Sequence, residues 1–312
     1  DLHDHAVLGV LTGAVQQQSG LVSVDLGLGQ SFAGHALLED GGQLFVGSLH
    51  VGNVAQTVVG SLTAVISEVL DTLGQSLLDA LDAGELEAWL KAFNADPTLE
   101  HMVIPGMVYI TFPTELGSVY TAKEIEEILS VCQRYDLKLF IDGARLGYGL
   151  SSSECDFTLS WLAHHCDAFY IGGTKVGALC GEAVVFPRGN APRHFMNIVK
   201  RHGALLAKSR LAGVQFDALF TDNLYLNIAQ HAISMAMKVR QLFTEAGIPL
   251  RDSSTNQQFV ELTNKQMEQL MQGVLFETWE PIDANNTLCR FVTSWATTEE
   301  DLQALKSALE TL

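Results

Sequence analysis

From Glu85 onward the chain alternates short apolar runs with longer segments whose apolar residues recur every three or four positions, and no other feature restricts its fold so strongly. The first helical segment carries Leu86, Trp89, Leu90 and Phe93. Met107 to Phe112 is an apolar run ended by Pro113, which predicts a strand. Thr121 is a suitable N-cap for a helix from Ala122 to Tyr135 that places Ile125, Ile128, Leu129 and Cys132 on one face. The pattern then predicts strand Leu137 to Ile141, a short helix around Leu159, Leu162 and Ala163, strand Ala168 to Ile171 and strand Ala183 to Phe186. Runs apolar on both faces and joined through helices build a mostly parallel sheet covered on both sides, so the expected class is α/β.

Phe195 to Leu206 and Phe216 to Ala246 read as helices, the second long and bent. After a linker at Gly247, Ile248 and Pro249, the spacing predicts strand Gln258 to Leu262, helix Lys265 to Met271, strands Val274 to Glu277 and Leu288 to Ser294, and helix Thr298 to Leu312. That is a small C-terminal α+β domain. The expected divisions are residues 1–84, an atypical segment; 85–246, a large domain; and 247–312, the small one.

Residues 1–90 stand apart from the rest. The first Lys or Arg is Lys91 and the first proline is Pro97, while 13 of the 27 glycines precede Lys91. With charged residues making up about a quarter of ordinary chains, such a stretch should carry on the order of ten basic residues. Leu21 to Val24 and Leu44 to Val46 are candidate short strands, and Ala64 to Leu70 is helix or strand. Nothing there fixes a fold.

The net charge of −18 repels phosphate backbones and anionic lipid, which argues against a nucleic-acid partner. No apolar run reaches the roughly 18 residues of a membrane-spanning helix, and no basic region precedes a short apolar stretch at the start, so no membrane association or export is expected. Five cysteines without C-x-x-C spacing suit reduced thiols in a cytoplasmic protein. Each lies in or beside an apolar stretch, where buried structural thiol outweighs nucleophile. His3-Asp4-His5 reads as a frayed terminus ahead of a metal site, and no metal is expected.

Chemistry concentrates at two strand ends. Strand Leu137 to Ile141 runs into Asp142-Gly143-Ala144-Arg145, an acid and a base at the carboxyl end, the edge where open α/β sheets bind ligands. Strand Ala168 to Ile171 ends in Gly172-Gly173-Thr174-Lys175, which brings a lysine to the same edge. A lysine crowded by apolar walls and a cation loses proton affinity, and its free amine can form a Schiff base with an aldehyde. Pyridoxal 5'-phosphate is the obvious aldehyde. Its ring nitrogen must stay protonated by a buried carboxylate, for which Asp142 is the candidate. Arg145 can reach the phenolic oxygen or a carboxylate and helps keep Asp142 ionised. Taken singly, the aspartate can cap a turn and Gly-Gly-Thr-Lys can be a surface turn. Their order and strand context make the combination specific.

Phe140-Ile141-Asp142-Gly143-Ala144-Arg145-Leu146, Phe169-Tyr170-Ile171-Gly172-Gly173-Thr174-Lys175 and Pro105-Gly106-Met107-Val108-Tyr109-Ile110 resemble the fold-type I pyridoxal phosphate enzymes of the threonine aldolase and β-eliminating lyase family. The resemblance runs from about Glu85 to the C-terminus. It implies a fold-type I large domain with Lys175 as the cofactor anchor beside Thr174, a ring-nitrogen contact by Asp142 and a cofactor contact by Arg145. Arg290, opening Arg290-Phe291-Val292-Thr293-Ser294, matches the arginine that holds the amino acid carboxylate; as a bidentate fork it can orient one Cα bond perpendicular to the ring. Thr114 and Glu115 can contact the cofactor ring or the substrate hydroxyl, and Glu115 stands where many aldolases of the family carry a histidine. Lys208 and Arg210 resemble a basic pair that reaches a phosphate in a neighbouring subunit, with solvated charge as the alternative. A homodimer or homotetramer is implied.

The family's N-terminal part supplies a glycine and threonine turn for the phosphate and a histidine stacked on the ring. Gly41-Gly42-Gln43 and His50 are the faint candidates. The abnormal composition there fits a coding frame or strand other than the ancestral one, or a strongly diverged replacement. The expected activity is cleavage of a threonine-like β-hydroxy-α-amino acid to glycine and an aldehyde. The rivals are β-elimination releasing ammonia and a keto acid, and an inactive homologue serving as a binding or assembly subunit.

Overall fold

The computed structural model describes residues 36–39, 43–46 and 80–312. The chain divides into two compact units, Asp1–Gln75 and Ser76–Leu312. In the first, β1 (Ala36–Glu39) and β2 (Gln43–Val46) pair antiparallel, with Leu44 to Val46 in a strand as its apolar pattern suggests. Leu21 to Val24, Ala64 to Leu70, His3 to His5, Gly41, Gly42 and His50 lie outside the described residues.

The second unit opens with α1 (Ala83–Ala95), where the Asp82 side chain accepts from the Gly84 and Glu85 N–H groups that an isolated helix end would leave unpaired. Leu86, Leu90 and Phe93 are buried, whereas Trp89 remains 50% exposed, so the apolar stripe is narrower than its spacing suggests. β3 (Met107–Thr111), β4 (Lys138–Asp142), β5 (Ala168–Gly172) and β6 (Glu182–Val185) form a sheet in that order. β3, β4 and β5 run parallel and only β6 runs antiparallel. Between β3 and β4 lies α2 (Ala122–Arg134), begun by a reciprocal capping box of Thr121 and Glu124. Two short helices, α3 (Leu146–Leu150) and α4 (Leu159–His164), join β4 to β5. Strand alternation sends Val108, Ile110, Leu139, Ile141, Phe169 and Ile171 into the core and leaves Tyr109, Phe140 and Tyr170 half-buried on the other face.

α5 (Phe195–Arg201) stops short of the Leu206 predicted for it, with Gly203 at φ 69° just beyond. The single bent helix expected from Phe216 to Ala246 is two helices, α6 (Arg210–Phe220) and α7 (Leu224–Glu245). Asp222 and Asn223 break it at φ 50° and 61°, a left-handed region that Asp and Asn enter more readily than most side chains.

A second sheet, antiparallel throughout, has the order β7 (Gln257–Thr263), β9 (Asn286–Val292), β8 (Glu277–Pro281). The strand expected over Val274 to Glu277 begins only at Glu277, and Leu275 is 99% exposed. Pairing with β9 through a turn closed by the Asp283 carboxylate sets that start. α8 (Asn264–Leu270) and α9 (Glu299–Leu309) complete the fold, each with a capping box.

Among the described residues two apolar cores result. One gathers the parallel sheet with α1 to α4 and the other the antiparallel sheet with α8 and α9. α7 serves both, giving Tyr225, Ala229, Ala232 and Ile233 to the first and Met235, Val239 and Phe243 to the second. Among the described residues no helix is long and apolar enough to cross a membrane.

Candidate active site

The carboxyl ends of β4 and β5 approach so closely that side chains are excluded between them. A Cβ on Gly143 would lie 2.1 Å from the Tyr170 carbonyl oxygen, and one on Gly172 would lie 2.3 Å from that of Ala144. The Gly172 N–H donates to the Gly143 carbonyl at 2.8 Å and locks the two ends together. Glycine at both positions is therefore a condition of bringing the residues after each strand to one place.

Asp142, 7% exposed, ends β4. Its Oδ1 accepts from the Ala144 N–H at 2.9 Å, and its Oδ2 accepts from the Tyr109 hydroxyl. Tyr170 also hydrogen-bonds to Asp142, and burial followed by the Asp142 charge pushes both phenols up. Lys175 lies in a short 3-10 turn, Thr174–Val176, after β5, and its carbonyl accepts from the Tyr148 hydroxyl. Burial, then the Arg145 charge, holds the Lys175 ammonium below its ordinary range, against the opposing pull of Glu115 and Asp142.

Arg145, just before α3, donates from Nη1 to Glu115 Oε2 at 2.6 Å. Arg290 on β9 donates from Nη1 to Glu115 Oε1 at 3.3 Å and to Gln257 Oε1 at 2.8 Å. Burial raises the Glu115 carboxyl, but Arg145, Arg290 and Lys175 together outweigh it and hold the group below its ordinary value. One carboxylate thus ties an arginine of the parallel-sheet layer to an arginine of the antiparallel sheet, with Lys175 close enough to feel all three.

The structure brings Asp142, Arg145, Lys175, Glu115 and Arg290 together. Thr114 is fully buried and its Oγ1 accepts from the Ser118 N–H at 3.0 Å, a turn contact directly behind Glu115. Thr174 is exposed beside Lys175, and Lys208 and Arg210 are exposed at the start of α6. The sequence reading missed Tyr109, Tyr148, Tyr170 and Gln257. The two strand tyrosines share the Asp142 face by alternation, a signal that was available. Gln257 is the fifth of a run of six polar residues, Ser253 to Gln258, all buried ahead of an apolar strand segment, and such a run invites a polar contact.

A family model described as beta-eliminating lyase matches residues 30–266, opening upstream of Glu85. The chain belongs to this family. The low specificity L-threonine aldolases of Pseudomonas sp. (strain NCIMB 10558) and Pseudomonas aeruginosa are 31% and 30% identical over 209 residues, 66% of this chain and 59% of theirs. The chain thus spans about three fifths of the length of these curated relatives. The threonine aldolase structure of Leishmania major aligns with a TM-score of 0.70 at 37% identity, covering 74% of this chain and 67% of that one. Mouse CSAD aligns with a TM-score of 0.52 at 16% identity over 75% and 57% of the two chains, which speaks for the fold alone. The architecture is fold-type I, and the family's members depend on pyridoxal phosphate.

The side chains of the family member described here fit the ring end of that cofactor. An amine of reduced proton affinity suits its aldehyde, a buried carboxylate suits a protonated ring nitrogen, and a guanidinium suits the phenolic oxygen. Gly41 and Gly42, the faint candidates for the family's phosphate turn, lie outside the described residues.

Proposed function

We propose that this protein is a pyridoxal phosphate-dependent lyase that cleaves a threonine-like β-hydroxy-α-amino acid to glycine and an aldehyde. The carrying observation is the convergence of Lys175, Asp142, Arg145, Glu115 and Arg290 at the joined ends of β4 and β5. When bound, the cofactor supplies an aldehyde that condenses with amines and a ring that accepts the electron pair left on Cα.

Lys175 would be the anchoring amine, Asp142 would hold the ring nitrogen with Tyr109 fixing its second oxygen, and Arg145 and Thr174 would contact the cofactor. Arg290 would take the substrate carboxylate and so orient the Cα–Cβ bond that is to break. As that bond breaks, its electron pair stays with Cα and the hydroxyl proton passes to Glu115. Cβ leaves as the aldehyde and a proton returned to Cα gives glycine. The Glu115 carboxyl, held below its ordinary range, is ionised at neutral pH and so open to a proton, though the same lowering weakens it as a base.

The family description favours one rival, β-elimination with release of ammonia and a keto acid. Incubating the cofactor-loaded protein with threonine separates the two: glycine and acetaldehyde support cleavage, whereas ammonia and 2-oxobutanoate overturn it. We further infer a cytoplasmic homodimer or homotetramer with residues 85–246 bearing the cofactor and 247–312 bearing Arg290. Support comes from five free cysteines, the two apolar cores and the exposed Leu211, Val214 and Phe220 of α6. Light scattering at micromolar concentration checks the assembly, and a monomer contradicts it.

A further inference from the structure

Arg290 lies directly opposite Glu277 in the β8/β9 pairing. Its Nε donates to Glu277 Oε2 at 2.9 Å, and its Nη2 donates to the same oxygen. A register shift between Thr278 and Glu280 singles out Trp279, whose ring lies against the guanidinium with Cζ 4.6 Å from its centroid. Bulges of this kind re-aim side chains near active sites.

A guanidinium can grip a carboxylate through either of two edges, Nη1 with Nη2 or Nε with Nη2. Groups anchored elsewhere hold the first edge at Nη1. Gln257, fully buried, accepts from Nη1 at 2.8 Å while its own Nε2 donates to the Glu115 carbonyl at 2.9 Å. The Glu115 carboxylate is itself held by Arg145. The second edge is held by Glu277, whose side chain is 62% exposed and free to turn toward water. Vacating this edge disrupts no buried partner.

We propose that Glu277 is a built-in competitor for the substrate carboxylate, holding the Nε/Nη2 edge of Arg290 in the free protein and yielding it when the amino acid arrives. The proposal rests on the substrate role of Arg290 under the proposed function. Exchange of one carboxylate for another keeps the guanidinium paired in both states, so no uncompensated charge is left in the cleft. It also lowers affinity, because a ligand whose competent state is populated one tenth of the time binds about tenfold more weakly.

Calorimetric titration of the cofactor-loaded full chain with glycine tests this. Glu277→Gln and Glu277→Ala should each lower the Kd for glycine on the order of tenfold, with a parallel fall in KM for threonine. A merely structural glutamate would weaken binding when removed. Arg290→Lys should weaken glycine binding about a hundredfold, as loss of a bidentate grip does. Unchanged or weaker binding in both Glu277 variants, alongside that loss in Arg290→Lys, overturns the competitor and leaves the proposed function standing. Wild-type glycine binding in Arg290→Lys overturns both.

Discussion

Glu115 is the residue on which the site's electrostatics turn, since its two oxygens meet two different arginines. Glu115→Gln should cost about 10²–10⁴ in kcat for threonine cleavage, the usual worth of a positioned base, and a loss under threefold contradicts that duty. Its folded value is depressed, so the stability it contributes is present above the ordinary carboxylate range and is lost as pH falls through the lower folded value. Lys175 is depressed as well, so its capture by free pyridoxal, stopped with borohydride, should rise with pH through a midpoint below the ordinary 10.5. A midpoint at or above that value contradicts the environment described. Burial pushes the thiols of Cys132 and Cys166 to about 12 and that of Cys289 to about 11, whereas Cys180 is exposed, unlike the buried thiol its flanking sequence suggests. A thiol reagent should therefore label Cys180 first in the native protein, and Cys180→Ser should remove the fast phase. Asp142, Arg145, Lys175, Glu115 and Arg290 were legible because each lies at or beside a strand whose pattern is plain. Glu277 and Trp279 were not, because their contact with Arg290 depends on cross-strand register, which local spacing leaves open.

The elements themselves were read best where capping residues coincide with periodicity, as at Thr121 and Thr298. Thr298→Ala should cost about 1 kcal/mol of stability by removing the cap of α9, seen as a lower midpoint in urea. They were read worst where a left-handed Asp222-Asn223 pair interrupts an otherwise continuous apolar pattern, and where pairing with β9 selects Glu277 to Pro281 over the more apolar Val274 to Glu277. Both failures have one cause, a long-range or backbone requirement that overrides local pattern. The β4/β5 junction shows the reverse, since its glycines announce it. Gly143→Ala should cost about 1–3 kcal/mol or more through the clash with the Tyr170 carbonyl and reduce cofactor retention along with it. Wild-type stability in that variant would mean the strand ends are farther apart than described.

For the molecule as a whole, α7 is the shared member of two cores, so its continuity should couple them. Ser234, exposed between the residues that face each core, tests this. Ser234→Pro should destabilise by about 3 kcal/mol or more and lower a single cooperative transition, while two separate transitions contradict the coupling. The absence of Lys and Arg before Lys91 has no counterpart in the rest of the chain. An altered coding frame and a diverged replacement are the two readings, and a family match that opens at residue 30 in the given frame favours the second from there on. Translation of the locus in its other frames decides, because the first requires a glycine and threonine turn followed by a helix. All the chemistry proposed here passes through the amine that follows β5. Borohydride reduction of the cofactor-loaded protein followed by peptide mapping should find the pyridoxyl group on Lys175 alone, and finding it on another lysine, or on none, contradicts the account.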